Sequence, residues 1–337
     1  MPKELISSAL LALFWLAGSI GAAVGADWPA RVFAPYMYLG AGDNFKLTDC
    51  NDACGLKHYT LAFIIARQEG RGQDTKVYPE PSWYGRIPIE QNLYKDQIDA
   101  IRKRGGDVII SFGGEAGKEL ANVIDDPIQL EAAYQKVIGQ YQFSWLDFDI
   151  EGDGLAKGKL DSQRRNTALA SLQKKNPGLI ISYTLPVDPD GLSDASRDLL
   201  ADAVKKEVKV HSVDLMVMYF GKRFINKGKS EGQLGVDSAN RANEQLQKID
   251  PAIQIGLCPC LGRNGSKDEV FTLDDAKTIK AFAEKTPWVC SLHFWSINDD
   301  AGRRRRRGST TNGAQTVEAT QPRPWDFANL FKSFTTP

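Results

Sequence analysis

The sequence predicts an α/β protein folded as a single (β/α)8 TIM barrel, and three observations carry that expectation. Eight short apolar runs rich in β-branched and aromatic residues recur at 32–38, 59–65, 107–112, 145–150, 180–185, 214–219, 254–257 and 289–295. Between most neighbours lies a stretch with 3.6-residue periodicity and charged outer positions, as at 93–104, 128–139, 162–175, 193–205, 238–249 and 273–284. The strand starts are spaced at roughly 27 to 48 residues, the arithmetic of alternating strand and helix in a barrel. The 337-residue chain shows no composition break, internal repeat or Cys-rich module that would divide it. An open doubly wound sheet is the alternative that pattern alone leaves.

Taken in order, residues 6–26 are apolar or small and end in Val24-Gly25-Ala26 before Asp27. They read as a secretory leader with an A-x-A-like cleavage site, so a signal peptide over 1–26 and a barrel over 27–337 are expected, in a secreted protein. An uncleaved anchor is the rival reading. Between the first two runs, Cys50 and Cys54 lie close enough in one loop to pair, and an exported protein favours a disulfide. Cys258 and Cys260, just past the seventh run, alternate on what reads as a strand and read as buried small side chains. Only residues 262–288 separate the seventh and eighth runs, room for a loop and one helix, so no sizeable insertion domain is expected there. Asn264-Gly265-Ser266 is the one N-glycosylation sequon. Arg303 to Arg307 and the polar residues after them read as a solvated loop.

Charge excludes some functions. The 42 Lys and Arg balance 42 Asp and Glu, and the balance survives loss of the leader because Lys3 and Glu4 cancel. No basic excess is left to neutralise a phosphate backbone, so nucleic acid is not an expected partner. No later segment is long and apolar enough to span a bilayer, so no membrane partner is expected after leader cleavage. Three His, none near a Cys pair at ligand spacing, argue against zinc, and neither metal nor cofactor is expected.

The chemistry concentrates on the fourth run, Ser144-Trp145-Leu146-Asp147-Phe148-Asp149-Ile150-Glu151. Strict alternation puts Asp147, Asp149 and Glu151 on one face and Leu146, Phe148 and Ile150 on the other. In a barrel the apolar face packs under helices, so the acids point inward near the C-terminal rim. No inward basic residue is evident on the other strands. Three carboxylates so close raise one another's pKa, so at least one holds a proton near neutrality. Glu151, at the strand end, is best placed to give it up. Salt bridging to Lys or Arg, or a metal site, is the alternative reading of the same acids.

Asp147-Phe148-Asp149-Ile150-Glu151, preceded on the third run by Ser111-Phe112-Gly113-Gly114, resembles glycoside hydrolase family 18, the chitinase family with the D-x-x-D-x-D-x-E signature. The likeness extends to Met216-Val217-Met218 and to Trp295 in Ser291-Leu292-His293-Phe294-Trp295. It implies retaining, substrate-assisted hydrolysis of β-1,4-linked N-acetylglucosamine in chitin or chito-oligosaccharides. Glu151 would be general acid and base, Asp149 would orient the acetamido group, Asp147 would share the proton load, and Tyr219 could offer a hydroxyl to the acetamido oxygen. Trp295, Tyr36, Phe63, Gly114, Met216 and Met218 are the expected substrate contacts.

The chain departs from the signature at Ser144 and Trp145, where Asp and Gly are usual, and at Tyr219-Phe220, where an Asp is usual after the methionines. A monomeric, open-grooved endochitinase is the expectation. A chitin-binding lectin on the same barrel and an endo-β-N-acetylglucosaminidase acting on N-glycans are the competing readings.

Overall fold

The computed structural model describes residues 28–40, 45–70, 72–225, 227–265, 268–302 and 322–336. The leader expected at 1–26 and the basic run at 303–307 lie outside them. All eight expected strands form: β1 in two segments, Val32–Phe33 and Tyr36–Tyr38, then β2 His58–Glu69, β3 Asp107–Gly113, β4 Trp145–Asp149, β5 Ile180–Asp188, β6 Val210–Met216, β7 Gln254–Cys258 and β8 Val289–Leu292. Each pairs in parallel with the next from β2 to β8.

Strand β1 closes the ring. Its first segment pairs with β8 (Val32 with Ser291) and its second with β2 (Tyr36 with Thr60). Pro35, with no N–H to give, marks the break, yet its carbonyl still accepts from Thr60 N at 3.0 Å. Sequence pattern alone left open an open sheet, and this pairing settles the choice for the barrel.

A helix follows each strand: α1 Leu47–Cys54, α2 Lys95–Lys103, α3 Pro127–Tyr141, α4 Lys159–Lys175, α5 Asp194–Lys205, α6 Glu231–Leu246, α7 Leu273–Lys285 and α8 Asp326–Phe331. Helix α6 begins seven residues before its expected start, at a capping box of Ser230 and Gln233. Gly232 and Gly235 in its first turns are poor helix formers and blur the periodic signal there. Among the described residues, only the two-residue strands Gly262–Arg263 and Val270–Phe271 and helix α7 lie between β7 and β8, and they form no insertion domain.

Two readings of the sequence are corrected. The loop expected to hold a Cys50–Cys54 disulfide is helix α1, and both cysteines face the core one turn apart. The Cys54 thiol donates to the Cys50 carbonyl at 3.0 Å, and no disulfide occurs among the described residues. The sequon is not a usable acceptor in the folded chain, because Asn264 is fully buried and spends its amide on Glu231 and on the carbonyls of Cys260 and Gly262.

An unexpected feature is the length of β2. It runs on past the barrel to Glu69 and turns back as Lys76–Trp83, an antiparallel arm anchored by the buried Trp83 ring, whose N–H donates to Tyr141 at 2.8 Å.

Alternation sorts the side chains. Outward residues such as Leu146, Phe148, Ile181, Tyr183, Val213 and Leu215 join one large core under the helices. The interior is layered. Val32, Ile109, Trp145, Ile180 and Trp28 plug the N-terminal end. A polar middle layer of Ser111, Asp147, Ser182, Thr184, Ser212, Asp214 and Ser291 follows, all buried. Above it the barrel opens. No helix among the described residues is long and apolar enough to cross a membrane.

Candidate active site

The three acids of β4 point into the barrel as alternation requires, and each has a different environment. Asp147 is deepest. It accepts hydrogen bonds from Ser111 (2.6 Å), Tyr36 (2.9 Å), Ser182 (2.9 Å) and Thr184 (2.9 Å). Burial and the nearby Asp214 charge nevertheless push its carboxyl up to about 6, against the pull of those hydroxyls.

Asp149 lies one layer higher and is also buried. Burial, then the charges of Glu151 and Asp147, hold it well above the usual carboxylate range. Its Oδ1 has no hydrogen-bond partner. Glu151, just past the strand end, is half-buried and is raised by burial and by the Glu115 charge. Hydrogen bonds from Asp149 and from the Glu115 backbone N–H oppose that rise. The two carboxyls thus lie within hydrogen-bond reach of each other, and both are held above their usual range.

An inward basic group does exist, contrary to the sequence reading. His293, just after β8, is fully buried, with Nε2 3.3 Å from Asp214 Oδ2 and Nδ1 2.7 Å from the Ala34 carbonyl oxygen. Burial alone would raise Asp214, but His293 and the hydroxyls of Ser291 and Ser212 outweigh it and hold the carboxyl low. Burial would lower His293, and Asp214, the Ala34 carbonyl and the Asp147 charge together more than reverse this. Gly256 leaves room for the arrangement: a Cβ there would lie 2.0 Å from Asp214 Oδ1. Parity would have found both residues, since Asp214 shares a face with Met216, and His293 with Ser291 and Trp295.

Above the acids opens a cleft of about 1030 Å³. Its floor is aromatic. Trp295 stacks on Phe63 (5.7 Å between rings, 16° between planes), and Tyr36 packs against both. Met216, Met218, Cys258 and Thr184 complete the inner wall, and Asp149 and Glu151 line the same space.

Of the expected contacts, Trp295, Tyr36, Phe63, Met216, Met218 and Tyr219 meet here, Tyr219 at the edge with its side chain 58% exposed. Asp147 lies beneath. Gly114 is set behind Phe63 rather than on the cleft wall: its φ is +82°, its N–H donates to the Asp149 carbonyl at 3.0 Å, and a Cβ would meet the Phe63 ring at 2.7 Å.

Sequence reasoning missed the outer walls. Tyr38, Tyr84 and Gln68 bound one side, and Asp188, Asp190 and Arg223 the other, with Arg223 bonded to Asp190 at 2.6 Å. Tyr84 and Gln68 come from the antiparallel arm, which no periodicity announced. Among the described residues no group of three or more His, Cys, Asp and Glu is arranged to hold a metal ion.

With this geometry in hand, the chain can be compared with known proteins. No family model matches it. It is 28% identical over 330 residues to a probable bifunctional chitinase/lysozyme of Escherichia coli, covering 91% of this chain and 35% of that protein. It is 29% identical over 289 residues to endochitinase 11 of Metarhizium anisopliae, covering 81% and 53% respectively. The chain thus spans about a third and about half the length of these two relatives. The crystal structure of the catalytic domain of a hyperthermophilic chitinase from Pyrococcus furiosus superposes with a TM-score of 0.75 at 30% identity, over 92% of this chain and 96% of that one. Catalytic-site mutants of the P. furiosus chitinase domain have also been solved complexed with chito-oligosaccharides.

Proposed function

This chain belongs to glycoside hydrolase family 18, and on that footing we propose that it is an endochitinase that cleaves β-1,4-N-acetylglucosamine linkages with retention of configuration. The observation that carries this reading is the Asp149–Glu151 pair, two neighbouring carboxyls both held above their usual range at the open end of the barrel, above an aromatic floor; on this reading they share one bridging proton. Aromatic faces pack on the apolar faces of pyranose rings, so Trp295 and Phe63 suit the sugar on the non-reducing side of the scissile bond.

The steps follow from which atoms lack partners. Asp149 Oδ1 is a buried acceptor without a donor, and a substrate acetamido N–H supplies one. As that bond forms, the bridging proton passes to Glu151, which delivers it to the glycosidic oxygen. The acetamido oxygen, held in place by Asp149, attacks the anomeric carbon and expels the leaving sugar, giving an oxazolinium ion. Glu151, now a carboxylate, takes a proton from the incoming water, which opens the ring from the same face. Pre-orientation of an internal nucleophile supplies about 7–11 kcal/mol of barrier lowering in favourable cases. Asp147 stays behind as the charged neighbour that holds Asp149 protonated until the substrate N–H arrives and the proton moves on to Glu151.

The open groove supports internal cleavage, since among the described residues no domain between β7 and β8 walls the cleft. The proposal extends to a monomeric enzyme exported on the leader-like run at residues 6–26.

Wild type and Glu151→Gln compared on chitin oligomers and on a high-mannose glycopeptide test the reading. Hydrolysis of the oligomers by wild type, lost by about 10²- to 10⁴-fold in the variant, is expected. Equal activity in both proteins would overturn the role of Glu151. A wild type that binds oligomers without cleaving them would make the protein a lectin, and cleavage of the glycopeptide alone would move the substrate to N-glycans.

A further inference from the structure

The chemistry proposed above, on which this inference rests, needs Asp147 held in one orientation at the bottom of a polar layer that solvent does not reach. Four hydroxyls surround its carboxylate, and they are not equivalent. Tyr36 and Thr184 each lie 2.9 Å from Asp147 but only 2.7 Å from each other. Two hydroxyl protons therefore serve three contacts, and their directions can exchange. Ser111, at 2.6 Å, contacts the carboxylate alone.

Ser182 differs from all three. Its Oγ lies 2.9 Å from Asp147 Oδ1 and 3.0 Å from the indole nitrogen of Trp145. An indole N–H can only donate, so a lone pair of Ser182 is taken and its single proton is left for Asp147.

We propose that Trp145 is a positioning residue of the active site, whose indole N–H fixes the Ser182 hydroxyl as an obligatory donor to Asp147. The indole itself cannot turn. It is buried, with its ring edge-on to Trp28 (5.0 Å, 78°) and to His211 (5.1 Å, 85°), and Trp28 is tied by its own N–H to Ser144 at 3.0 Å. The plug at the N-terminal end of the barrel is thereby connected to the deepest acid, in the middle layer, through one directed chain, Trp145 to Ser182 to Asp147. It also gives a purpose to the departure of residue 145 from the family signature, since a glycine there has no donor to offer. A chain of bonds aligned in one direction strengthens its last member, here the bond to a carboxylate.

The test reads the titration of Asp147 by carboxyl ¹³C NMR in the full chain. The other titratable groups around Asp147 are Asp149 on its own strand, Tyr36, Asp214, Cys258 and His293. Trp145 faces His211 and, across Trp28, His58. Site-specific assignment separates them.

Ser182→Ala is expected to raise the Asp147 midpoint by about one pH unit or more, and Trp145→Phe by about half a unit. The double variant should match Ser182→Ala alone. A Trp145→Phe shift that is absent, or that adds in full to Ser182→Ala, overturns the proposal. Should Trp145→Phe fail to fold, the wild-type indole ¹⁵N–¹H resonance decides. It is expected to move with the Asp147 midpoint and to lose that response in Ser182→Ala; a wild-type resonance that does not move at the Asp147 midpoint or follows His211, or a response that persists in Ser182→Ala, overturns the proposal. Because the readout is a titration and not turnover, a fully active Glu151→Gln would defeat the proposed role of Glu151 without touching this result.

Discussion

Glu119 and Asp149 are buried to nearly the same degree, at 5% and 6% exposure, and they do opposite things. Glu119 lies behind the barrel between β3, α3 and α4. Its Oε2 accepts from Arg165 Nη2 (2.8 Å), Arg165 Nε (3.1 Å) and the Ala121 N–H (2.9 Å), and its Oε1 from Tyr134 (2.7 Å). Asp149 has an oxygen with no partner, an acidic neighbour on either side along β4, and an open cleft above it. Burial alone therefore does not mark a functional acid. What separates the two is whether the fold supplies every donor itself or leaves a buried carboxyl oxygen facing a cleft without one.

Breaking each region should fail in a different way. The largest effect is expected at the rim, where Glu151→Gln should cut turnover by about 10²- to 10⁴-fold while thermal unfolding stays within a degree or two of wild type. A fall in stability to match would make Glu151 a structural acid like Glu119.

Arg165→Met should show the reverse. It leaves Glu119 buried without its cation and should cost about 3–5 kcal/mol of stability by denaturant titration. The fraction that still folds should keep the wild-type pH profile of kcat. A moved profile would tie the rear pair to the chemistry and weaken the contrast.

Smaller again, Trp295→Ala should raise KM for chitin oligomers by about tenfold or more, with a lesser change in kcat, because it removes stacking surface and leaves the proton bridge intact. The finest probe is Asp147→Asn. The Asp147 charge helps to hold Asp149 high, so neutralising it lets the pair give up its proton at lower pH. The alkaline limb of kcat should move to lower pH. Movement the other way would mean that the pair does not feel Asp147 as a charge.

Much of this was legible in the sequence, for identifiable reasons. The D-x-D-x-E parity on β4 placed three acids inside, because a strand's alternation is local and needs no partner to read. The same parity, applied to 214–216 and 291–295, contains Asp214 and His293, and passing over it led to the expectation that no inward base existed. Other features depend on tertiary partners. Trp145 and Ser144 looked like damage to the signature; their use shows only when Trp28 and Ser182 are brought beside them. The Cys50–Cys54 spacing fits a helix turn as well as a bridged loop, and the packing of α1 decided between them. Tyr84 and Gln68 reach the cleft only because β2 overruns the barrel, which no run of apolar residues signals.

The proposed proton bridge and internal nucleophile make a single stereochemical commitment. The most direct test follows the first product released from a chitin oligomer by ¹H NMR, before mutarotation sets in. A newly formed reducing end that appears as the β-anomer and only then drifts to the equilibrium mixture is the predicted result. An α-anomer at the earliest time would contradict the account, because it requires water to attack from the face opposite the leaving sugar, with no acetamido group in between.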